Sequence, residues 1–268
     1  VRDRLFDALL ARPLVLDAAM GTRLIDRGLD LRSEDPSLWN LSNPDSIGSI
    51  HRADIAAGAD AVVTNTFGAN RVWLARYGRE ADVTAINRQA VAIARDAAGP
   101  DRFLLGSIGP TAARLPGAYR EQAEALAGVD ALLLETHTLA ETLVGLSEIG
   151  TGGPPIIASL FRWDSIDEFP RLIKLGASVV GANCVTLEAG QRLAEAIHAT
   201  CPVPILLKPS EMSPAELAGA VPNMLRCGVR MIGGCCGTVD AHVAAIRSAL
   251  DLAWTPGRVD RPKRDSSR

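Results

Sequence analysis

Aromatic side chains are scarce in this chain: Phe, Trp and Tyr together make up 4% of its 268 residues. Surfaces that stack unpaired bases are built from such rings, so a single-stranded nucleic-acid platform has little to work with. Positive charge is not in excess either. A formal net charge of -3 and a pI near 5.9 exclude the electrostatic footprint of a nucleic-acid or anionic-membrane partner. No apolar run reaches the roughly 20 residues that cross a bilayer. The opening segment, VRDRLFDALLARPLVLD, scatters charges through its apolar residues and lacks a signal-peptide core, so a cytoplasmic location is expected. Five cysteines are an odd number. Without a secretory signal they do not suggest a disulfide framework, and any that cluster point to metal binding or chemistry.

What the chain has is a rhythm of apolar runs. Strands are expected at LVLDAA (14–19), AVVTNTF (61–67), FLLGSIG (103–109), ALLLETH (131–137), PIIASLF (155–161), SVVGANC (178–184), PILLKPS (204–210) and MIGGCCG (231–237). They are short and lack polar alternation, as parallel strands buried on both faces do. Between them lie Ala-, Leu-, Arg- and Glu-rich stretches with helical spacing, such as VTAINRQAVAIARDAA (83–98) and VDAHVAAIRSALDLA (239–253). Eight strands alternating with helices predict an α/β fold, a single (β/α)8 barrel over 1–254. A doubly wound open sheet is the competing architecture, but no Gly-x-Gly-x-x-Gly follows the first strand. The end, TPGRVDRPKRDSSR (255–268), is polar and proline-bearing and is expected to be a flexible tail.

In such a barrel, chemistry gathers at the C-terminal ends of the strands. Asp17, Asn65, Thr66, Ser107, Glu135, His137, Asn183, Cys184, Lys208, Cys235 and Cys236 all fall at those ends. The most specific motif is GGCCGT (233–238). Neighbouring residues of an extended strand face opposite ways, so two adjacent cysteines reach one metal only if the glycines let the strand end twist. With Cys184 from another strand end, Cys235 and Cys236 make three thiolates, a strong zinc set with one tetrahedral position open. Such a centre suits activation of a sulfur ligand. Cys201 and Cys227 read instead as small buried hydrophobes. His137 is expected to line the pocket and His242 to lie in the last helix, neither as a ligand.

These residues resemble the homocysteine S-methyltransferase family, which includes betaine–homocysteine methyltransferase, S-methylmethionine-dependent enzymes and the homocysteine-binding module of cobalamin-dependent methionine synthase. The likeness rests on GANC (181–184) with GGCCGT. It continues through LDAAMGTRLIDRG (16–28), NPDSIGSIHRADIAAGADAVVTNTFGAN (43–70), GSIGPT (106–111) and LLLET (132–136). It covers nearly the whole chain in order. The resemblance implies a (β/α)8 barrel, zinc on Cys184, Cys235 and Cys236, and Asp17 and Glu135 holding the amino-acid end of homocysteine. It implies a zinc-dependent S-methyltransferase making methionine from homocysteine and a methyl donor. S-methylmethionine, S-adenosylmethionine, betaine and a methylated corrinoid are the donors it allows. A corrinoid or folate route would need a partner protein in trans. The alternatives are a demethylating or homocysteine-binding subunit of such a system, and a zinc-containing barrel without turnover. The chain leaves the family pattern at Ala18, at KPSEM (208–212) and in the loop FRWDSIDEF (161–169). Those departures spare the cysteines and fall on the loops that would choose the donor.

Overall fold

The computed structural model describes residues 4–111 and 115–254; the segment 255–268, expected as a tail, lies outside the described residues. Among the described residues, eight parallel strands follow in chain order: β1 (Leu14–Val15), β2 (Ala61–Val63), β3 (Phe103–Ile108), β4 (Ala131–His137), β5 (Ile156–Leu160), β6 (Ala177–Val185), β7 (Ile205–Pro209) and β8 (Val229–Ile232). Each pairs with its sequence neighbour. The ring closes where β1 pairs β8 (Leu14 with Met231, Val15 with Ile232) and Leu16 bridges Ala61 of β2. The expected (β/α)8 barrel is the observed fold.

The helices are α1 (Arg4–Ala11), α2 (Met20–Asp26), α3 (Trp39–Ser42), α4 (Pro44–Ala56), α5 (Arg71–Leu74), α6 (Val83–Ala98), α7 (Ala118–Ala125), α8 (Leu139–Ile149), α9 (Glu168–Lys174), α10 (Leu187–Thr200), α11 (Pro214–Arg226) and α12 (Asp240–Ala253). Their starts are chemically marked. Thr138 and Glu141 form a capping box on α8, Ser213 and Glu216 one on α11, and Thr186 caps α10.

Period-two alternation divides each strand between two cores. Phe103, Leu105, Leu133, Ile157, Val179, Leu206 and Met231 fill the barrel interior, and Leu5 and Leu9 of α1 join them. Leu104, Leu132, Leu134, Val180 and Leu207 point outward under the helices. Cys201 and Cys227 are buried in this outer core, as small hydrophobes would be.

Several strands end earlier than their apolar runs suggest. β8 stops at Ile232 rather than Gly237, so GGCCGT is not a strand end but the loop after it. The reason is pairing: β1, its partner, supplies only two ladder residues. Past them, Gly233 N–H donates to Leu207 O at 3.2 Å and Gly234 N–H to Asp17 O at 3.3 Å, which draws the chain across the barrel mouth.

Candidate functional site

The loop after β8 is tied down by its own backbone. Cys235 N–H donates to Pro209 O (2.8 Å), and Cys236 O accepts from Glu211 N–H (3.0 Å). Thr238 donates its hydroxyl to Cys235 O at 2.7 Å and accepts from Ala19 N–H at 3.2 Å. Gly234 must be glycine because a Cβ there would lie 2.3 Å from Thr238 Oγ1. Adjacent cysteines therefore share a side by lying on a tight turn, where strand alternation no longer applies.

Cys184 comes from β6, where its backbone is left-handed (φ 56°). That twist brings its sulfur 2.9 Å from Cys235 Sγ and 3.4 Å from Cys236 Sγ. All three sulfurs lie within 4.8 Å of one another. Asn183, one residue earlier, is wholly buried and fixes the cluster from beneath. Its Oδ1 accepts from Thr136 N–H (2.8 Å) and Ser159 Oγ (2.7 Å), and its Nδ2 faces Cys235 Sγ at 3.8 Å. Hydrogen bonds from the Cys184 and Cys236 thiols hold Cys235 well below the usual thiol range, helped by the Lys208 charge. The same bonds push Cys184 up.

The donor chemistry fits zinc. Tetrahedral zinc with Zn–S bonds of about 2.3 Å separates its sulfurs by about 3.8 Å, roughly 0.4 Å more than the Cys184–Cys236 separation and roughly 0.9 Å more than the Cys184–Cys235 separation here. Two of the sulfurs ride on a short loop, and a spread of that size is within its reach.

Across the mouth, Asp17 just beyond β1 and Glu135 on β4 each spend one oxygen on the scaffold. Asp17 Oδ2 accepts Val63 N–H at 2.7 Å, and Glu135 Oε1 accepts Ser107 Oγ at 2.5 Å. Asp17 Oδ1 has no hydrogen-bond partner among the described residues. Lys208 of β7 places its Nζ 3.7 Å from that oxygen and 3.9 Å from Glu135 Oε2. All three groups are buried. Burial pushes Asp17 up to about 7 against the pull of Lys208, and it pushes Glu135 upward as well. Burial pulls Lys208 down, but Glu135 and Asp17 outweigh it and leave the ammonium more firmly protonated.

These residues and the three cysteines line one cavity of about 360 Å³, roofed by the Ala18–Thr22 segment and Phe67. Cys184 and Cys236 also line a second cavity of about 610 Å³ with Phe161, Leu187, Glu211 and Met212. The sulfurs therefore stand between two compartments.

The structure brings together all five residues singled out from sequence: Cys184, Cys235, Cys236, Asp17 and Glu135. It moves His137 out of the pocket. That ring is fully buried behind β4, with Nδ1 donating to Glu135 O (2.8 Å) and Nε2 facing Tyr119 OH (3.1 Å). His242 is no ligand: its Nδ1 accepts Val239 N–H and its Nε2 donates to Met212 O, joining α12 to the loop after β7. Sequence reasoning placed Lys208 at a strand end but gave it no role. The available signal was a charged residue inside the apolar run PILLKPS, where only a partnered ammonium survives burial.

Residues 14–250 match the family model described as homocysteine S-methyltransferase. The methionine synthase of Mycobacterium tuberculosis is 31% identical over 98% of this chain, which spans only 26% of that protein's length. The homocysteine S-methyltransferase of Escherichia coli is 27% identical over 88% of this chain and 94% of its own. The Escherichia coli homocysteine methyltransferase MmuM in its oxidised form superposes with a TM-score of 0.78 at 26% identity, covering 92% of this chain and 98% of that one. Its metallated form gives 0.76 at 25% identity, with coverages of 91% and 98%. The chain belongs to the homocysteine S-methyltransferase family.

Proposed function

We propose that this chain is a zinc-dependent methyltransferase that methylates homocysteine to methionine. The observation that carries the proposal is the trio of sulfurs at the junction of two cavities, one of which presents two carboxylates. Zinc bound by Cys184, Cys235 and Cys236 would supply Lewis acidity that keeps a substrate thiol deprotonated near neutral pH. The chain's own residues do the rest. Asp17 Oδ1 and Glu135 Oε2 receive the substrate ammonium beside Lys208 Nζ, which stands 3.7 and 3.9 Å from them and leaves room for direct hydrogen bonds, while their other oxygens are already locked by Val63 N–H and Ser107 Oγ. Anchored there, the substrate's sulfur is directed toward the cysteines and exposed to the second cavity. The substrate sulfur forms a bond to the donor's methyl carbon. The bond from that carbon to the donor breaks, and its electron pair leaves with the donor. No protein nucleophile or general base is required.

Support for homocysteine comes from the family and from the Escherichia coli relative, which this chain matches over nearly its whole length. A second reading has a specific observation behind it. The chain corresponds to about a quarter of each of two mycobacterial methionine synthases, which favours a donor presented by a corrinoid or folate module. A demethylating subunit, or a barrel that holds zinc without turnover, remains a distinct outcome of the same test. X-ray absorption of the zinc-loaded protein should give three sulfur neighbours alone and four with homocysteine. Failure to retain zinc refutes the proposal, and three sulfurs under both conditions identifies the non-catalytic alternative. A donor panel, including a methylated corrinoid protein, then separates the two catalytic routes.

A further inference from the structure

At the N-terminal end of the barrel, opposite the cysteines, lies another cavity of about 450 Å³ lined by Arg12, Asp60, Arg102, Arg247, Asp251 and Trp254. Arg12, Asp60 and Arg102 immediately precede β1, β2 and β3, and the other three close α12. The guanidinium groups converge on Asp60, whose side chain is only 5% exposed. That carboxylate is fully spent. Its Oδ1 accepts Arg12 Nη2 at 2.7 Å, while its Oδ2 accepts Val15 N–H, Arg12 Nη1 and Arg247 Nη1 at 2.9 to 3.0 Å. Arg102 Nη1 stops at 3.9 Å, beyond hydrogen-bond reach. Asp251 meets Arg247 Nη2 at 3.1 Å, but its side chain is 66% exposed and water screens it. Three guanidinium groups, two of them about two-fifths exposed, thus face two carboxylates, one buried and one exposed.

Donors are also in surplus. Arg247 Nε and Trp254 Nε1 are buried without a hydrogen-bond partner among the described residues, and both belong to side chains on this cavity. Arg230 covers the Trp254 ring at 5.0 Å and holds the indole at the cavity wall. A site with one positive charge in excess, its buried carboxylate fully engaged and two donors without partners is complementary to a small anion with several oxygens. Guanidinium forks match phosphate oxygens in geometry and charge. We infer that this basal cavity is a binding site for a phosphate-class oxyanion, carried either as the free ion or as the phosphate of a small ester. The space around the arginines exceeds what one phosphate fills.

The experiment is calorimetric titration of the full chain with inorganic phosphate and with methyl phosphate, against chloride at matched ionic strength. Phosphate should bind where chloride does not, and Arg102→Gln should weaken it about fivefold or more, with Arg102→Lys recovering part of the loss. Arg102 makes none of the hydrogen bonds to Asp60, so its replacement leaves the Arg12–Asp60–Arg247 network standing. Trp254→Phe, which keeps the ring and removes the N–H, should weaken phosphate by a smaller factor. Tighter binding of methyl phosphate assigns the site to esters, and tighter binding of inorganic phosphate assigns it to the free ion. Phosphate binding no better than chloride overturns the inference, as does an Arg102→Gln protein that binds phosphate as well as the parent.

Discussion

Replacing Lys208 with methionine removes the cation standing between two buried carboxylates. At an effective dielectric of about 20, a unit charge at the observed 3.7 or 3.9 Å interacts by about 4 kcal/mol with each partner. The ammonium's own desolvation offsets much of that sum, and breaking a buried ion pair on one side typically costs about 3–5 kcal/mol. The variant has an escape: the carboxylates can take up protons. A carboxylate whose folded-state pKa stands above its unfolded value binds more protons in the native state, so stability falls as pH rises through that window. Asp17 and Glu135 are already raised by burial with Lys208 in place. Without the lysine both move further up, and each retained proton costs about 1.4 kcal/mol per pH unit. Lys208→Met should therefore lose about 1 kcal/mol near pH 5 and about 3–5 kcal/mol near pH 8. Urea unfolding of both chains, metal-free, measures this directly. A loss independent of pH, or no loss near pH 8, would refute the coupling of these three groups.

Four further outcomes are expected. Asp17→Asn and Glu135→Gln should each raise the homocysteine KM about ten- to a hundredfold while zinc content, measured by metal analysis, stays at one per chain. Cys235→Ser should abolish tight zinc retention after dialysis against a chelator, because it removes the sulfur that the other two thiols face. Asn183→Ala leaves Thr136 N–H and Ser159 Oγ without their acceptor. It should cost about 1–3 kcal/mol in thermal unfolding and weaken zinc about ten- to a hundredfold, whereas a role in packing alone would leave zinc affinity unchanged. Gly181→Ala would set a methyl 1.8 Å from Leu206 O on the neighbouring strand. The expected result is a loss of more than about 4 kcal/mol or no soluble protein, read by expression and thermal melting.

The barrel was legible because its eight strands are buried on both faces, and apolar runs such as ALLLETH and PIIASLF leave no other economical arrangement. Strand ends were less so. MIGGCCG stays small and apolar after Ile232, and only the shortness of β1 across the ladder shows that pairing has stopped. The cysteines could be read from residue type alone, since sulfur chemistry does not depend on knowing neighbours. Lys208 could not, because its meaning lies in the distance to residues on β4 and beyond β1, more than 70 positions away in the sequence. His137 went astray for a related reason: its backbone belongs to the mouth, yet its ring turns back to Tyr119. The arginines around Asp60 gave no signal, being scattered between positions 12 and 247.

Three non-glycine residues among those described carry positive φ: Thr136, Cys184 and Glu211. All three line the cavity on the far side of the sulfurs. Each such backbone stores about 1–3 kcal/mol that glycine would release. Heat tolerance and the shape of this cavity therefore pull in opposite directions at these positions. A population of variants selected for survival at high temperature alone would drift toward glycine at 211, whereas at 136 glycine would also take from buried Asn183 Nδ2 the Thr136 Oγ1 acceptor it holds at 2.7 Å. Its melting temperature would climb while the cavity beside the sulfurs lost its shape.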